Sequence, residues 1–415
     1  MARIEHVRGR RVWDSRGRPA IEAEITLERG IVARAVAPSP SRWHAAGPKP
    51  LYDGGAAFAG LDVSKAVTAI DEEISALLDG LDARDQSVID RRLIAHDAPF
   101  GCNAILAVSI AVAKAGAQAA QLPLWRHIGA DGQARLPRPT VELLSGVQGN
   151  LVHEGSELSS LILLFPGADD VATALDWASE VTAAAAVLLG DRTAGGSTGT
   201  TGSLIANFDS ADEALELAVR AIERAGFQAG EDIALGLDIA AQRFGRGGRY
   251  LIGREGVVIT TAGMIERSLR RLNRYPVISL TDPLAEDDLA GIAHLTSAAG
   301  AQVIVSGGEV LMSSPARIEA CAKLGAFNAI ELRLSDHATL TEMREAVGTA
   351  RSAGFKIIMR GQDSDDNGGL LAHLAIAFGA EYLSPGGLGR GERTAIWNEA
   401  LRLCEALGSG LALTR

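Results

Sequence analysis

Ala329-Ile-Glu-Leu-Arg333, then Leu340-Thr-Glu-Met-Arg-Glu-Ala-Val-Gly-Thr-Ala-Arg-Ser-Ala353, then Lys356-Ile-Ile-Met-Arg360 make up one unit of a repeating pattern. A short, mostly apolar run reads as a buried strand, the middle stretch as an amphipathic helix, and the second run as another strand. The same rhythm extends in both directions from Gly230 onward. Ile233–Asp238, Val277–Asp282, Gln302–Ser306 and Glu381–Ser384 are further short apolar runs, and Arg393 to Ala406 is a further helix. Strand–helix alternation repeated this often predicts an α/β fold with a parallel sheet, most simply a closed (β/α)8 barrel. A doubly wound open sheet is the alternative, but no glycine-rich dinucleotide fingerprint follows its first strand.

The first quarter reads differently. Ile21, Ala23, Ile25 and Leu27 alternate with polar neighbours, as in a half-buried strand, and Asp14-Ser-Arg-Gly-Arg-Pro19 before them is turn chemistry. Ile31 to Val36 is another strand. Pro38 to Pro50 is irregular. Helices are expected over Val63–Leu78, Arg84–Ala95 and Cys102–Gln121, the last capped near Asn103. The chain of 415 residues therefore divides into an α+β segment, 1–133, and a barrel segment, 134–415.

Composition narrows the function. A net charge of -11 argues against nucleic-acid or anionic-membrane partners. Cys102, Cys321 and Cys404 are far apart and in no metal spacing, so they read as reduced thiols. The N-terminus lacks the apolar stretch of a signal peptide, and Ala104 to Leu122 carries Lys114 and ends at Pro123, as a core helix does. A cytoplasmic protein is expected.

Barrel enzymes place their chemistry at the C-terminal ends of the strands. Read in order, those ends carry Asp238, Thr281-Asp282, Ser306-Gly-Gly-Glu309, Arg333, Arg360 and Ser384. The pattern predicts three carboxylates on one arc of the mouth and two arginines on another. Simple neutralisation between them at the rim is the structural alternative.

Several stretches resemble the enolase family. Val12-Trp-Asp-Ser-Arg-Gly-Arg-Pro-Ala-Ile-Glu-Ala-Glu24 is similar to its N-terminal signature. Gly101-Cys-Asn-Ala-Ile-Leu-Ala-Val-Ser-Ile-Ala-Val-Ala-Lys114 with Leu122-Pro-Leu-Trp-Arg-His-Ile-Gly129 is similar to its long helix and exit, and Ala234-Leu-Gly-Leu-Asp-Ile-Ala-Ala241 continues the likeness. The resemblance implies an N-terminal α+β cap on an enolase-type barrel with one antiparallel strand, and a homodimer. It also implies a reaction in which magnesium ions and a lysine base form an enediolate and a glutamate assists departure of a hydroxyl.

The residues for that chemistry are mostly replaced. Of three metal carboxylates the resemblance keeps Asp238, puts Thr281 at the second and Gly308 at the third, and leaves Asp282 and Glu309 nearby to rebuild a site. The lysine base falls on Arg333, a poor base but a strong anion clamp. The substrate-holding His-Arg-Ser run reads Arg360-Gly361-Gln362, and a second lysine falls on Ser384. The two catalytic glutamates fall on Ser160 and Thr201, with Glu154 or Glu157 as local substitutes for the first. The loop serine that closes on metal falls on Arg42, beside Ser41, and His153 lies near the place of the loop histidine. Gly195-Gly-Ser-Thr-Gly-Thr-Thr-Gly-Ser203 reads as a polar loop whose amides can cradle an anion.

The expectation is a divergent lyase or isomerase acting on a small anionic carboxylate or phosphate acid. Arg333, Arg360 and Arg42 would clamp the anion, assisted by Ser41, Gln362 and Ser384. His153, Glu309 or Asp238 would move protons, and Mg2+ would be dispensable. A catalytically silent homologue that binds a metabolite or protein is the alternative. A magnesium-dependent 2-phosphoglycerate dehydratase fits least, because base, acid and two of three metal ligands are gone together.

Overall fold

The computed structural model describes residues 2–38, 48–96, 100–129, 134–146, 157–190, 198–252, 256–362 and 368–408. Ser41, Arg42, Glu154 and His153 lie outside the described residues, as does 195–197 of the glycine-rich loop. Two compact units are present: Met1–Ala134 with Arg333–Val347 and Gly361–Phe378, and Arg135–Leu332 with Gly348–Arg360 and Gly379–Arg415.

In the first unit, β1 (Ile4–Trp13), β2 (Pro19–Leu27) and β3 (Val32–Val36) form an antiparallel meander. The Asp14 carboxylate closes the β1–β2 turn by accepting from the amides of Arg16 and Arg18, both at 2.9 Å. Ala20, Ile21, Ala23, Ile25 and Leu27 are buried, as their alternation predicts. They pack with the helix Cys102–Ala119, which is buried along most of its length. Asn103 does not cap that helix. Its side chain pairs with the amide and carbonyl of Leu51, at 2.9 and 3.2 Å, and so fixes the chain entering from the proline-rich stretch. Gly101 has φ +77 and lies so close to Leu51 that a Cβ would sit 2.3 Å from the Leu51 nitrogen. The fully buried Asp90 joins Thr341 to this unit, accepting from its amide at 3.0 Å and its hydroxyl at 2.6 Å.

The second unit holds a closed eight-stranded barrel. Its strands are β4 (Arg138–Ser145), β5 (Ser160–Leu164), β7 (Ala234–Asp238), β11 (Val277–Thr281), β12 (Ile304–Gly307), β13 (Ala329–Leu332), β14 (Lys356–Arg360) and β15 (Tyr382–Gly386). The short β6 (Leu204–Ile205) adds to β4, and β8 (Gly245–Arg246), β9 (Arg249–Ile252) and β10 (Val257–Thr260) form a separate antiparallel sheet. The barrel order is β15-β14-β13-β12-β11-β7-β5-β4, closed by a parallel β15–β4 pairing. β5 is antiparallel to both neighbours and the others run parallel, so one strand is reversed. The six apolar runs of the sequence are six of these strands.

Side chains alternate across each strand, so one face of a strand runs from apolar to polar along its length. Ala329 and Glu331 share a face, as do Ile358 and Arg360, Ile304 and Ser306, and Tyr382 and Ser384. Ile162, Leu164, Ile304, Ala329 and Ile358 cluster as a buried apolar plug toward the strand starts. The polar members of the same faces collect at the strand ends. This division positions the site.

A glycine-rich contact brings the 198–203 loop to those ends. The Gly387 amide donates to the Thr201 carbonyl and the Gly389 amide to the Gly202 carbonyl, both at 2.8 Å. A Cβ on Gly387 would lie 2.4 Å from the Gly202 oxygen, whereas one on Gly391 would meet nothing within 4 Å. Gly387→Ala should therefore cost about 1–3 kcal/mol in chemical denaturation and Gly391→Ala much less. Equal effects would show that the close approach is not what holds the loop.

Candidate active site

Arg360, the last residue of β14, is the centre of the strand-end constellation. Its guanidinium donates through Nη2 to Asp238 Oδ2 at 2.8 Å and through Nη1 to Glu331 Oε1 at 3.0 Å, and Glu142 Oε2 lies 3.9 Å from Nη2. β14 and β7 stand four strands apart in either direction around the eight-stranded ring, so the Arg360–Asp238 pair spans the lumen. The Arg360 side chain is 13% exposed and the three carboxylates 10% or less. Burial opposes the guanidinium's charge, but Glu331, Asp238 and Glu142 outweigh it and raise its pKa.

Hydroxyls add further donors to Glu331 and Glu142. Thr281 donates to Glu331 Oε1 at 3.0 Å and shares a hydrogen bond with Ser306 at 2.9 Å. Glu142 Oε1 accepts from Thr201 at 2.5 Å and from Ser203 at 2.9 Å, and Ser203 is 2.7 Å from Ser145. Burial raises the pKa of Glu142, against the lowering influence of Arg360 and the two hydroxyls. Ser384 lies opposite Arg360 in the β14–β15 register, and Ser160 opposite Asp238 in the β5–β7 register. Ser160 Oγ is buried with no hydrogen-bond partner among the described residues.

Beside this cluster, Asp282 takes φ +44, a strained conformation for a side-chain-bearing residue. Its two carboxylate oxygens accept the amides of Gly308 and Glu309, each at 2.9 Å. Burial pushes its pKa up to about 7, opposed by the Gly308 amide and reinforced by the charges of Glu331, Asp238 and Glu309. Glu309 accepts from Gln242 at 2.6 Å and lies 3.6 Å from Arg243. Arg243 also donates to Ser159 at 3.1 Å, and the Ser159 amide donates to the Asp238 carbonyl at 2.7 Å.

Two family models match the chain, the enolase N-terminal domain over residues 4–128 and the enolase C-terminal TIM barrel domain over residues 133–414. The chain belongs to the enolase family.

Set against the enolase resemblance, the site residues sort as follows. Arg360, Asp238 and Ser384 come together on neighbouring or facing strands. Arg360 ends β14, apart from the adjacent β7, β11 and β12 that lead to Asp238, Asp282 and Glu309, but its side chain crosses the lumen to Asp238, so the two arcs meet in an ion pair. Arg333 is half-buried and Gln362 buried, and both fall in the first unit. Glu157 is not a substitute acid at the site: it is paired with Arg267 and Arg271 in a buried ion cluster. Nor do Asp238 and Asp282 rebuild a metal centre, since Arg360 holds the first and two backbone amides take up both oxygens of the second. Among the described residues no three His, Cys, Asp or Glu side chains are placed to hold a metal ion.

Sequence reasoning missed Glu142 and Glu331. Their signal is a lone acid inside an otherwise buried strand, where an unpaired charge would be costly. With them, three of the four positions that lost a family acid have a carboxyl bonded to the replacement, Ser160 being the exception. Thr201 bonds Glu142, Thr281 bonds Glu331, and the Gly308 amide bonds Asp282.

The Asp282 carboxyl gives a pH signature. Its folded pKa lies above the ordinary value of 3.8, so its contribution to stability is full below about pH 4 and is lost as pH rises through about 7. Asp282→Asn removes that contribution. The wild-type-minus-variant difference in unfolding free energy should fall by a few kcal/mol between pH 4 and 7. A pH-independent difference would show that Asp282 is an ordinary carboxylate.

Proposed function

We propose that this enolase-family chain is an enzyme, a lyase or isomerase that moves a proton on a small anionic acid and differs from the 2-phosphoglycerate dehydratase. The observation that carries this reading is the Glu142 carboxyl, delivered by β4 to the hydroxyl of Thr201, the position where the family resemblance places a catalytic glutamate. Loss of function by drift would not require a second strand to supply an acid at the vacated position. Burial favours the protonated form of Glu142, which suits a general acid. Asp238, held by the same guanidinium, is the acceptor on the facing strand.

The anion clamp moves in this reading. Arg360 is committed to three carboxylates and holds the acids in place. Arg243, Arg246 and Arg249 instead line a cavity of about 710 Å³, with Phe244, Leu251 and Val258 as its apolar wall. Arg246 and Arg249 face each other across the β8–β9 ladder, a like-charge pair that an anion would relieve. The cavity adjoins the site through Gln242 and Arg243, which both reach Glu309.

The reading is tested by incubating the protein in D2O with small hydroxy acids and their phosphate esters and following the protons beside the carboxylate by NMR. Exchange or conversion of one acid is expected, slowed at least about 10²-fold in Glu142→Gln. Binding with no exchange for any acid would instead carry the silent-homologue reading, which the saturation of Arg360 favours. Wild-type exchange in Glu142→Gln would remove Glu142 from the chemistry.

A further inference from the structure

We infer that the Arg360 guanidinium is the resident cation of this barrel and takes the place of the divalent ion that the enolase family uses. The inference is independent of the proposed reaction, because it concerns what holds three buried carboxylates together.

Asp238, Glu331 and Glu142 come from β7, β13 and β4, three separated positions around the ring. A shared cation draws such groups toward one point in the lumen, where ionised carboxylates without one would repel. In this chain the cation is covalent: Nη2 serves Asp238 and faces Glu142, while Nη1 serves Glu331. A guanidinium is planar, permanently charged and presents its N–H groups as a fork, so it can satisfy acids on opposite sides of a barrel with one side chain.

A magnesium ion does not fit alongside it. Magnesium requires near-octahedral oxygens at about 2.0–2.1 Å from one centre. Here the Asp238 and Glu331 oxygens are turned onto nitrogens at 2.8 and 3.0 Å, and the guanidinium occupies the space between them. Thr281 and Gly308, at two of the family's ligand positions, offer a hydroxyl and no side chain. The substitutions form one coordinated change. Two of the three acids that the resemblance assigns to metal are gone, and the one kept, Asp238, shares the Arg360 guanidinium with Glu331 and Glu142.

The consequence is that removing the arginine should create a metal site. Mn2+ titration followed by electron paramagnetic resonance, with Mg2+ competition, reads this directly. Wild type should take up no Mn2+ at the barrel. Arg360→Gln should gain one site at least about tenfold tighter than any wild-type binding, and adding Glu331→Gln should abolish it. Arg360→Lys, which keeps a cation in place, should stay free of metal. Should Arg360→Gln fail to fold, refolding in Mn2+ replaces the titration. Recovery of the native near-ultraviolet circular dichroism supports the inference, and failure with metal present overturns it. Stoichiometric Mn2+ binding by wild type that Asp238→Asn removes also overturns it, as does a folded Arg360→Gln that takes up none.

Discussion

A single buried guanidinium organises the barrel mouth. Three carboxylates surround Arg360, and none of them has solvent to fall back on. Desolvating a charge costs several kcal/mol, which is recovered only when partners stand at hydrogen-bonding distance with the right orientation. Arg360 supplies that arrangement, and the hydroxyls of Thr201, Ser203 and Thr281 complete it. Because the partners sit on three strands, the network also fixes the ring: shifting β4, β7 or β13 by one residue would turn its acid to the other face.

The backbone is built to make that meeting possible. Closure of the barrel through β15–β4 pairing puts Glu142 two strands from Arg360, although 218 positions separate them in the chain if counted from 142 to 360. The reversed strand β5 opens with Ser160 at the mouth and ends in the apolar plug with Leu164. The glycines at 387 and 389 let the 198–203 loop descend until Thr201 touches Glu142. Asp282 has a left-handed backbone that aims both oxygens at the Gly308 and Glu309 amides, and Ala240, Met312 and Ser313 in the same unit share that backbone region.

Much of the fold was legible because its strands are short apolar runs bounded by turns and helices. β4 was not, since Thr140, Glu142 and Ser145 interrupt its apolar pattern, and β5, no shorter than the barrel strands after it, lies before Gly230, outside the strand–helix rhythm. At the site, Asp238, Asp282, Glu309, Arg360 and Ser384 were visible as strand-end residues, and the glycine at 308 and threonines at 201 and 281 as departures from the family. Their partners were hidden. Glu331 lies one residue inside the end of its strand, and Glu142 sits on the unread strand. Pairing across a lumen depends on closure and register, which no local pattern encodes. The same blindness made Arg360 look like a free clamp, when its donors are engaged by groups from distant parts of the sequence.

The central claim is that Arg360 is a fixed structural cation, and nitrogen-15 NMR of the arginine side chains tests it most directly. The account predicts one set of guanidinium resonances, absent from Arg360→Lys, with hindered rotation about Nε–Cζ and slow exchange with water, unchanged by added Mg2+. Fast rotation and exchange like those of surface arginines, or displacement of the signals by Mg2+, would contradict it.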